Sequence, residues 1–172
     1  LVSSSDNNVR LDLAVPHGDA MQVAFAPNQQ SALVLTYDNG GSYGQIVRLG
    51  NGRPEAQTEF KRPEKIVSAH FSPNGKYVLL ATSGNAYTVL DAHSGHSQAL
   101  QTQGRFYDWT AFNPDNQTIA AISYQGVDVY DVRTGSLKAS RAMSLDHVRR
   151  ALRNNTPDIS PAQTQRLATL NK

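Results

Sequence analysis

The stretch AHFSPNGKYVLLATSGNAYTVLDAHSG, residues 69–95, decides the fold. Its first apolar run stops at Ser-Pro-Asn-Gly, where the proline removes a backbone donor and presets a turn. A second apolar run at residues 77–82 is rich in valine and leucine, as expected for a strand buried on both faces. A third run ends at Asp91, and the Asp-Ala-His-Ser-Gly sequence that starts there predicts another turn. The stretch therefore predicts successive strands joined by tight turns.

The same turn signals recur along the chain. The pattern Phe-x-Pro-Asn/Asp begins at Phe25, Phe71 and Phe112, so its spacings are 46 and 41 residues. A turn with glycine follows each one, at residues 49–52, 91–95 and 131–135. A period of about 40–45 residues is typical of a four-stranded propeller blade.

Four strands are predicted in each unit. The first ends at the phenylalanine before the proline, the second and third are apolar, and the fourth is more polar, as suits an exposed outer edge. The first strands are predicted at residues 21–25, 66–71 and 109–112, and the second strands at 32–36, 77–82 and 118–123. The third strands are predicted at residues 45–49, 86–90 and 126–130, and the fourth strands at 56–60, 97–101 and 136–140.

These units resemble WD-repeat β-propellers over about residues 1–143, in the segments VAFAPN, AHFSPNGKYVLLAT and VDVYDVRTGSLKAS. The resemblance implies an all-β fold of four-stranded antiparallel blades, about three of them visible, with a short C-terminal helical extension. It divides the chain into a partial unit at about 1–20, units at 21–65, 66–104 and 105–143, and a basic helical tail at 144–172. His17 with Asp19 lies near the position of the family's structural pair. The family's Trp-Asp dipeptide is absent.

Ring closure limits what three blades can do alone. Propellers close with typically four to eight blades. Three blades leave two apolar sheet faces open, which is unfavourable in water. We therefore expect additional blades, either from the same longer chain, of which this would be the C-terminal part, or from a second copy that completes about six blades.

The C-terminal tail differs in charge from the rest of the chain. Residues 138–172 carry seven Lys/Arg against two Asp/Glu, whereas residues 1–137 carry nine against twelve. Leu145, Val148 and Leu152 recur at helical spacing, with basic residues on the other side. The basic tail patch consists of Arg149, Arg150 and Arg153. This patch either meets an acidic partner or is a solvated face, and no nucleic-acid motif accompanies it, so nucleic acid is a disfavoured partner.

The composition limits the class of protein and the kinds of site that the chain can contain. Hydrophobic residues make up 39% and charged residues 17% of the 172 residues, which fits one domain with a real core. No run of about 18 apolar residues occurs, so no transmembrane segment is expected. The chain has no cysteine, which excludes disulfides, thiolate metal ligands and cysteine catalysis. The compartment stays open, with the cytoplasm favoured.

Signatures of catalysis and cofactor binding are missing from the sequence. Gly-x-Ser-x-Gly, His-Glu-x-x-His, the P-loop and Gly-x-Gly-x-x-Gly do not occur. His93 and His96 lie around a glycine turn without further ligands, so no metal site is expected. The glycine-rich sequence TYDNGGSYG at residues 36–44 predicts a hairpin loop rather than a phosphate site. We therefore expect no enzyme activity, no cofactor and no metal.

What the resemblance implies is a non-catalytic scaffold for protein–protein interaction, in which rigid blades hold variable loops. The segment RFYDWT at residues 105–110 contains the residue types that are enriched at interfaces. The corresponding loop of the preceding unit, RPEK at residues 62–65, is charged. The predicted partner-binding residues are Arg62, Lys65, Arg105, Tyr107 and Trp109. The opposing interpretation is that Phe106 and Trp109 pack between blades.

Two other functions stay open. A propeller enzyme or a small-ligand binder would use the central channel, with His70 and Asp108 as lining groups. A regulatory sensor domain of a larger signalling protein would use the basic tail as its output.

Overall fold

The computed structural model describes residues 18–49 and 55–142, and the structural statements below refer to these residues. Twelve strands form three four-stranded antiparallel sheets. The first sheet contains β1 (Asp19–Phe25), β2 (Ser31–Asp38), β3 (Gly41–Arg48) and β4 (Glu55–Arg62). The second contains β5 (Ile66–Phe71), β6 (Tyr77–Thr82), β7 (Tyr87–Asp91) and β8 (Ser97–Ala99). The third contains β9 (Trp109–Phe112), β10 (Thr118–Ser123), β11 (Gly126–Asp131) and β12 (Leu137–Ala142).

Neighbouring strands of each sheet are neighbours in sequence, so each sheet is an up-and-down meander. The described residues contain no helix. This arrangement fits a propeller-like all-β fold. The prediction of four-stranded antiparallel sheets is confirmed for the described part of the chain, and the predicted C-terminal helices lie outside it.

Side-chain oxygens fix the turns that punctuate the repeat. Oδ1 of Asp91 accepts hydrogen bonds from the backbone N–H groups of His93 and Ser94, at 3.0 and 2.8 Å. Oδ1 of Asp131 accepts from Arg133 and Thr134 in the same way, at 3.0 and 2.9 Å. Short polar side chains that bond to the backbone two or three residues ahead stabilise such turns. The repeated turn signal therefore has a repeated physical cause.

The sheets pack face to face through two apolar layers. Because strand residues alternate between faces, one sheet can contribute to both layers. Leu80 of β6 lies in the layer against the first sheet, and its neighbour Leu79 lies in the layer against the third sheet. The first layer contains Leu33, Leu35, Ile46, Ile66, Ala69, Val78, Leu80, Leu90 and Ala92. The second contains Leu79, Ala81, Tyr87, Val89, Leu100, Tyr107, Ile119, Ala121, Tyr130 and Val132.

Polar bridges also join the first and second sheets. The hydroxyl of Ser42 accepts a hydrogen bond from the backbone N–H of Ile66 at 2.8 Å. The hydroxyl of Thr58 donates to the carbonyl oxygen of Ala92 at 2.8 Å. Both hydrogen bonds are buried, so the two sheets are held in one register by directional contacts as well as by apolar packing.

The predicted strand positions agree closely with the observed ones, except in the first hairpin. The sequence predicts a loop over residues 36–44, but β2 continues to Asp38 and β3 begins at Gly41. Oδ1 of Asp38 accepts from the N–H of Gly40 at 2.6 Å, which closes the turn over two residues. Gly44 lets β3 and β4 pack closely, because a Cβ atom at this position would overlap the ring of Phe60.

Some predicted features lie outside the described residues. They include the partial N-terminal unit before residue 18, His17 and the tail at residues 144–172. Among the residues that the structure describes, no helix is long and apolar enough to cross a membrane.

Candidate interaction groove

The loops of the meander divide between two ends of the sheets. The β2–β3, β6–β7 and β10–β11 turns lie at one end, together with the links that lead from one sheet to the next. The longest of these links that is described in full, residues 100–108, joins β8 to β9. Its backbone N–H groups at Gln101 and Asp108 donate to the carbonyl oxygens of Gly135 and Ile122, both at 2.8 Å. The link is therefore anchored to the third sheet at two points.

Three buried tyrosines hold this link between the second and third sheets. The hydroxyl of Tyr87 donates to the carbonyl oxygen of Tyr107 at 3.0 Å and accepts from its N–H at 3.1 Å. The hydroxyl of Tyr107 lies 2.5 Å from Oδ2 of Asp128 and 2.5 Å from the hydroxyl of Tyr130. Ring centroids of neighbouring tyrosines are 5.6 and 6.0 Å apart in edge-to-face geometry. This tyrosine cluster fixes the position of the loop residues on either side of Tyr107.

The protons of the tyrosine cluster can be assigned from the donors available. An ionised carboxylate only accepts, so the single O–H of Tyr107 points at Asp128. The hydroxyl of Tyr130 must then donate to Tyr107. Arg105 adds a second charged contact, with a guanidinium nitrogen 2.5 Å from the same Oδ2 atom of Asp128.

The pKa values of Asp128 and Tyr107 agree with a hydrogen bond from Tyr107 to an ionised Asp128. Burial pulls the pKa of Asp128 upward, but hydrogen bonds from Ser140, Tyr107 and Arg105 outweigh burial and leave the pKa below its ordinary value. Burial and the hydrogen bond to Asp128 raise the pKa of Tyr107 well above its ordinary value. The cluster is therefore a charged acceptor surrounded by neutral and cationic donors at neutral pH. Such an arrangement positions a loop and supplies no free acid or base.

Beside the tyrosine cluster lies a groove of about 560 Å³ between the second and third sheets. Its lining combines exposed apolar side chains with scattered polar groups. Trp109 and Phe106 are 68% and 57% exposed, and Val67 on the facing strand is 56% exposed. The residues that line the groove are Val67, Ser68, His70, Ala81, Thr82, Asn85, Tyr87, Phe106, Tyr107, Asp108, Trp109 and Thr110.

Polar side chains give the groove directional contacts. The hydroxyl of Ser68 lies 2.8 Å from Nε2 of His70. The hydroxyl of Thr82 donates to Oε2 of Glu64 at 2.6 Å. Asp108 is exposed, and within the described part of the chain no hydrogen bond to its carboxylate is seen. The groove can therefore bind apolar groups through its aromatic residues and polar groups through Asp108 and the Ser68–His70 pair.

The Ser68–His70 pair alone does not make a nucleophilic site. A serine nucleophile needs a histidine base that a third group orients. Nδ1 of His70 has no hydrogen-bond partner among the described residues. In the same part of the chain, no group of three or more His, Asp or Glu side chains is placed to hold a metal ion.

The predicted partner-binding residues occupy different environments. Trp109 is exposed at the groove, whereas Tyr107 is 5% exposed and offers only a small part of its side chain to a partner. Arg105 is tied to Asp128 next to the groove. Arg62 ends β4 and lies over the ring of Phe60, and Lys65 lies on the link to β5 over the ring of Tyr37. Neither residue lines the groove. The basic tail patch of Arg149, Arg150 and Arg153 lies outside the described residues.

Some groove residues are not among the predicted partner-binding residues. Phe106 and Val67 are exposed at the groove, although the opposing interpretation places Phe106 between blades. The carboxylates of Asp91 and Asp131 accept from turn N–H groups, whereas the carboxylate of Asp108 makes no such contact with the described residues. The carboxylate at Asp128, inside the apolar run VDVY, is a sequence signal for the buried cluster, because a charge in a buried strand requires partners.

Comparisons with known proteins support the fold alone. No family profile and no curated protein sequence matches the chain. Among solved structures, 358 chains match. One is the crystal structure of the eukaryotic initiation factor, which superposes with a TM-score of 0.56 at 17% sequence identity. The match covers 76% of this chain and only 34% of the other, so this chain spans about a third of that protein's length.

Proposed function

We propose that this chain is part of a WD-like propeller that acts as a non-catalytic scaffold and binds a segment of a protein partner in the groove. The observation that carries the proposal is the pair of exposed aromatic side chains, Phe106 and Trp109, on either side of Asp108. Aromatic residues in a pocket are the usual anchors of protein interfaces.

The way in which the link beside the groove is held in place also favours the binding of a partner segment. The link that carries Phe106 and Asp108 is tied down through Tyr107, whose side chain is buried and hydrogen-bonded. Preorganised loops bind with a smaller entropy cost than loops that must become ordered. The groove thus combines strand residues with a link that is held in place, as expected for a recognition surface.

A selection of random peptides tests this function directly. Linear peptides displayed on phage would be selected against the full chain. We expect selected peptides to lose roughly tenfold or more in affinity with Phe106→Ala or Asp108→Asn. Tyr124→Ala is the matched control, because Tyr124 is an aromatic residue at the same end of the sheets, is 84% exposed and does not line the groove.

Two outcomes of the peptide selection would contradict the scaffold function. If no peptide is selected, the groove does not bind peptides. The same conclusion follows if the selected peptides bind Phe106→Ala and Asp108→Asn as tightly as the wild-type chain. Thermal unfolding of each variant separates lost binding from lost folding. Since Phe106 is 57% exposed, its replacement should leave the unfolding temperature nearly unchanged.

A small-ligand binder is the second candidate, because Ser68, His70 and Asp108 line one groove. Thermal-shift screening of small polar metabolites would test it. A compound that raises the unfolding temperature of the wild-type chain and not of His70→Ala would favour this function. The regulatory sensor domain stays a hypothesis that no described residue bears on.

A further inference from the structure

The charge of the groove has one sign. Asp108 is the one carboxylate among the side chains that line the groove, and no lysine or arginine of the described residues lines it. Thr82, which also lines the groove, donates its hydroxyl to Oε2 of Glu64 at 2.6 Å, so a second carboxylate lies at the margin. With histidine neutral, the groove is therefore negatively charged.

The basic residues that flank the lining segments in sequence make their contacts elsewhere. A guanidinium nitrogen of Arg105 lies 2.5 Å from Oδ2 of Asp128. The ammonium group of Lys65 lies 5.4 Å from the centre of the Tyr37 ring, on the first sheet. Within residues 18–49 and 55–142, no cation forms an ion pair with the carboxylate of Asp108. This carboxylate can therefore accept hydrogen bonds from a ligand without breaking a contact within the described chain.

Two aromatic side chains on either side of Asp108 offer a second attraction for a cation. Phe106 and Trp109 line the groove and are exposed. The face of an aromatic ring attracts a cation within about 6 Å of the ring centre. Lys61 lies 4.7 Å from the centre of the Tyr43 ring in this way. No described lysine or arginine lies over the ring of Phe106 or Trp109, so both rings keep surface that a cation from outside can contact.

A carboxylate beside two exposed rings matches a long basic side chain. Lysine and arginine combine an apolar stem with a cationic end, so the stem can pack on the rings while the cation meets Asp108. An acidic or phosphorylated segment would bring like charge to Asp108, with no described cation in the lining to offset it. A purely apolar segment would remove water from the carboxylate and give it no partner.

We propose that the partner segment in the groove carries a lysine or an arginine, whose cation contacts the rings of Phe106 and Trp109 and pairs with Asp108. This inference rests on the proposed function, because it names the chemistry of the segment that the groove binds. The formal net charge of the chain is +2, so long-range attraction does not favour basic ligands. A preference for basic segments would therefore come from the groove itself.

Peptides selected on phage against the full chain supply the first test. We expect the selected sequences to share a lysine or an arginine at one position. Synthetic copies with norleucine in place of that lysine, or citrulline in place of that arginine, keep most of the side chain and lose its charge. These uncharged copies should bind the wild-type chain roughly tenfold more weakly than the charged peptides.

Variants of the chain show where the charge is recognised. Asp108→Asn should bind the charged peptide roughly tenfold more weakly, and the uncharged copy about as tightly as the wild-type chain does, which also shows that the variant is folded. Phe106→Leu should weaken the charged peptide roughly two- to fivefold more than the uncharged copy, because leucine has no ring face. Glu55→Gln is the matched control, since it removes an exposed carboxylate of β4 that does not line the groove, and it should preserve the full difference between the two peptides.

Fluorescence of Trp109 tests the groove without a selected peptide. Trp109 is the only tryptophan in the chain and lines the groove, so its emission reports on this site. Titration with N-acetyl-arginine methylamide should change the emission in a saturable way. N-acetyl-citrulline methylamide, which has a similar shape and no charge, should need a concentration several-fold higher for the same change. Asp108→Asn should remove the difference between the two probes, and Glu55→Gln should keep it.

The two tests separate failure of this inference from failure of the proposed function. Selected peptides that share no basic residue, or that bind equally well without its charge, would overturn the inference and leave a peptide-binding groove. If no peptide is selected, the proposed function fails and the fluorescence titration decides whether the groove takes a basic side chain. An equal response to the arginine and citrulline probes would then overturn the inference as well.

Discussion

The hydroxyl oxygen of Tyr107 lies 2.5 Å from Oδ2 of Asp128, and both side chains are buried between the second and third sheets. Tyr107 comes from the link between sheets and Asp128 from the middle of β11. The contact therefore joins a loop at the groove to the apolar layer that holds two sheets together. Loop position and sheet packing should fail together when this contact is removed.

Tyr107→Phe should destabilise the fold by about 1–3 kcal/mol, because it leaves Asp128 without one buried donor and Tyr130 without its acceptor. Urea unfolding followed by tryptophan fluorescence or circular dichroism would measure the loss. Tyr124→Phe is the matched control, since its hydroxyl is exposed and its only described partner is the neighbouring Gln125. Equal stability of the two variants would contradict the role assigned to the cluster.

The stability of the chain should fall in acid partly through Asp128. Its pKa in the fold lies below the ordinary value of 3.8, because hydrogen bonds outweigh the effect of burial. The unfolded state therefore takes up a proton more readily, so this stability is present above the unfolded pKa and is lost as the pH falls through the lower folded pKa.

A comparison of pH slopes checks the assignment to Asp128. Between about pH 5 and about pH 2.5, the free energy of unfolding should fall less steeply in Asp128→Asn than in the wild-type chain. The turn aspartates stay in both proteins, so they cancel in the difference. Parallel pH profiles would show that Asp128 carries no part of the acid sensitivity.

The sequence is sufficient to predict the sheets because the turn chemistry is local. The proline that follows Phe71 acts within a few residues and recurs in all three units, and the carboxylate of Asp91 recurs as Asp131 in the third. The groove depends instead on contacts between distant residues. Tyr87 and Tyr107 are 20 residues apart and meet only when two sheets pack, so neither the burial of Tyr107 nor the exposure of Phe106 can be read from the sequence.

Gly41→Ala should destabilise the chain by about 2 kcal/mol or more, because a Cβ atom there would overlap the carbonyl oxygen of Arg62. The φ angle of +119° adds backbone strain for any other residue. Gly40→Ala is the neighbouring control, since its nearest heavy atom would be Oδ1 of Asp38 at 3.2 Å, on a side chain that can move. Thermal unfolding should rank the two variants in this order, and the reverse order would contradict the observed hairpin.

Asp91→Ala should cost about 1 kcal/mol, because the backbone N–H groups of His93 and Ser94 lose their acceptor. Asp91→Asn should recover most of this loss, since the amide oxygen can accept the same hydrogen bonds. Urea unfolding of both variants at neutral pH would measure the difference. If asparagine were as damaging as alanine, charge rather than turn geometry would explain the role of Asp91.

Val89 and Val129 occupy equivalent positions in two repeats and should respond differently to truncation. Val89 is 2% exposed under the third sheet, whereas Val129 is half-buried on the face of the third sheet that points away from the second. In dilute solution, Val89→Ala should therefore cost about 2 kcal/mol from lost burial and an internal cavity, and Val129→Ala clearly less. Urea unfolding of both variants at the same protein concentration would measure the difference. Equal costs would contradict the difference in burial between the two valines.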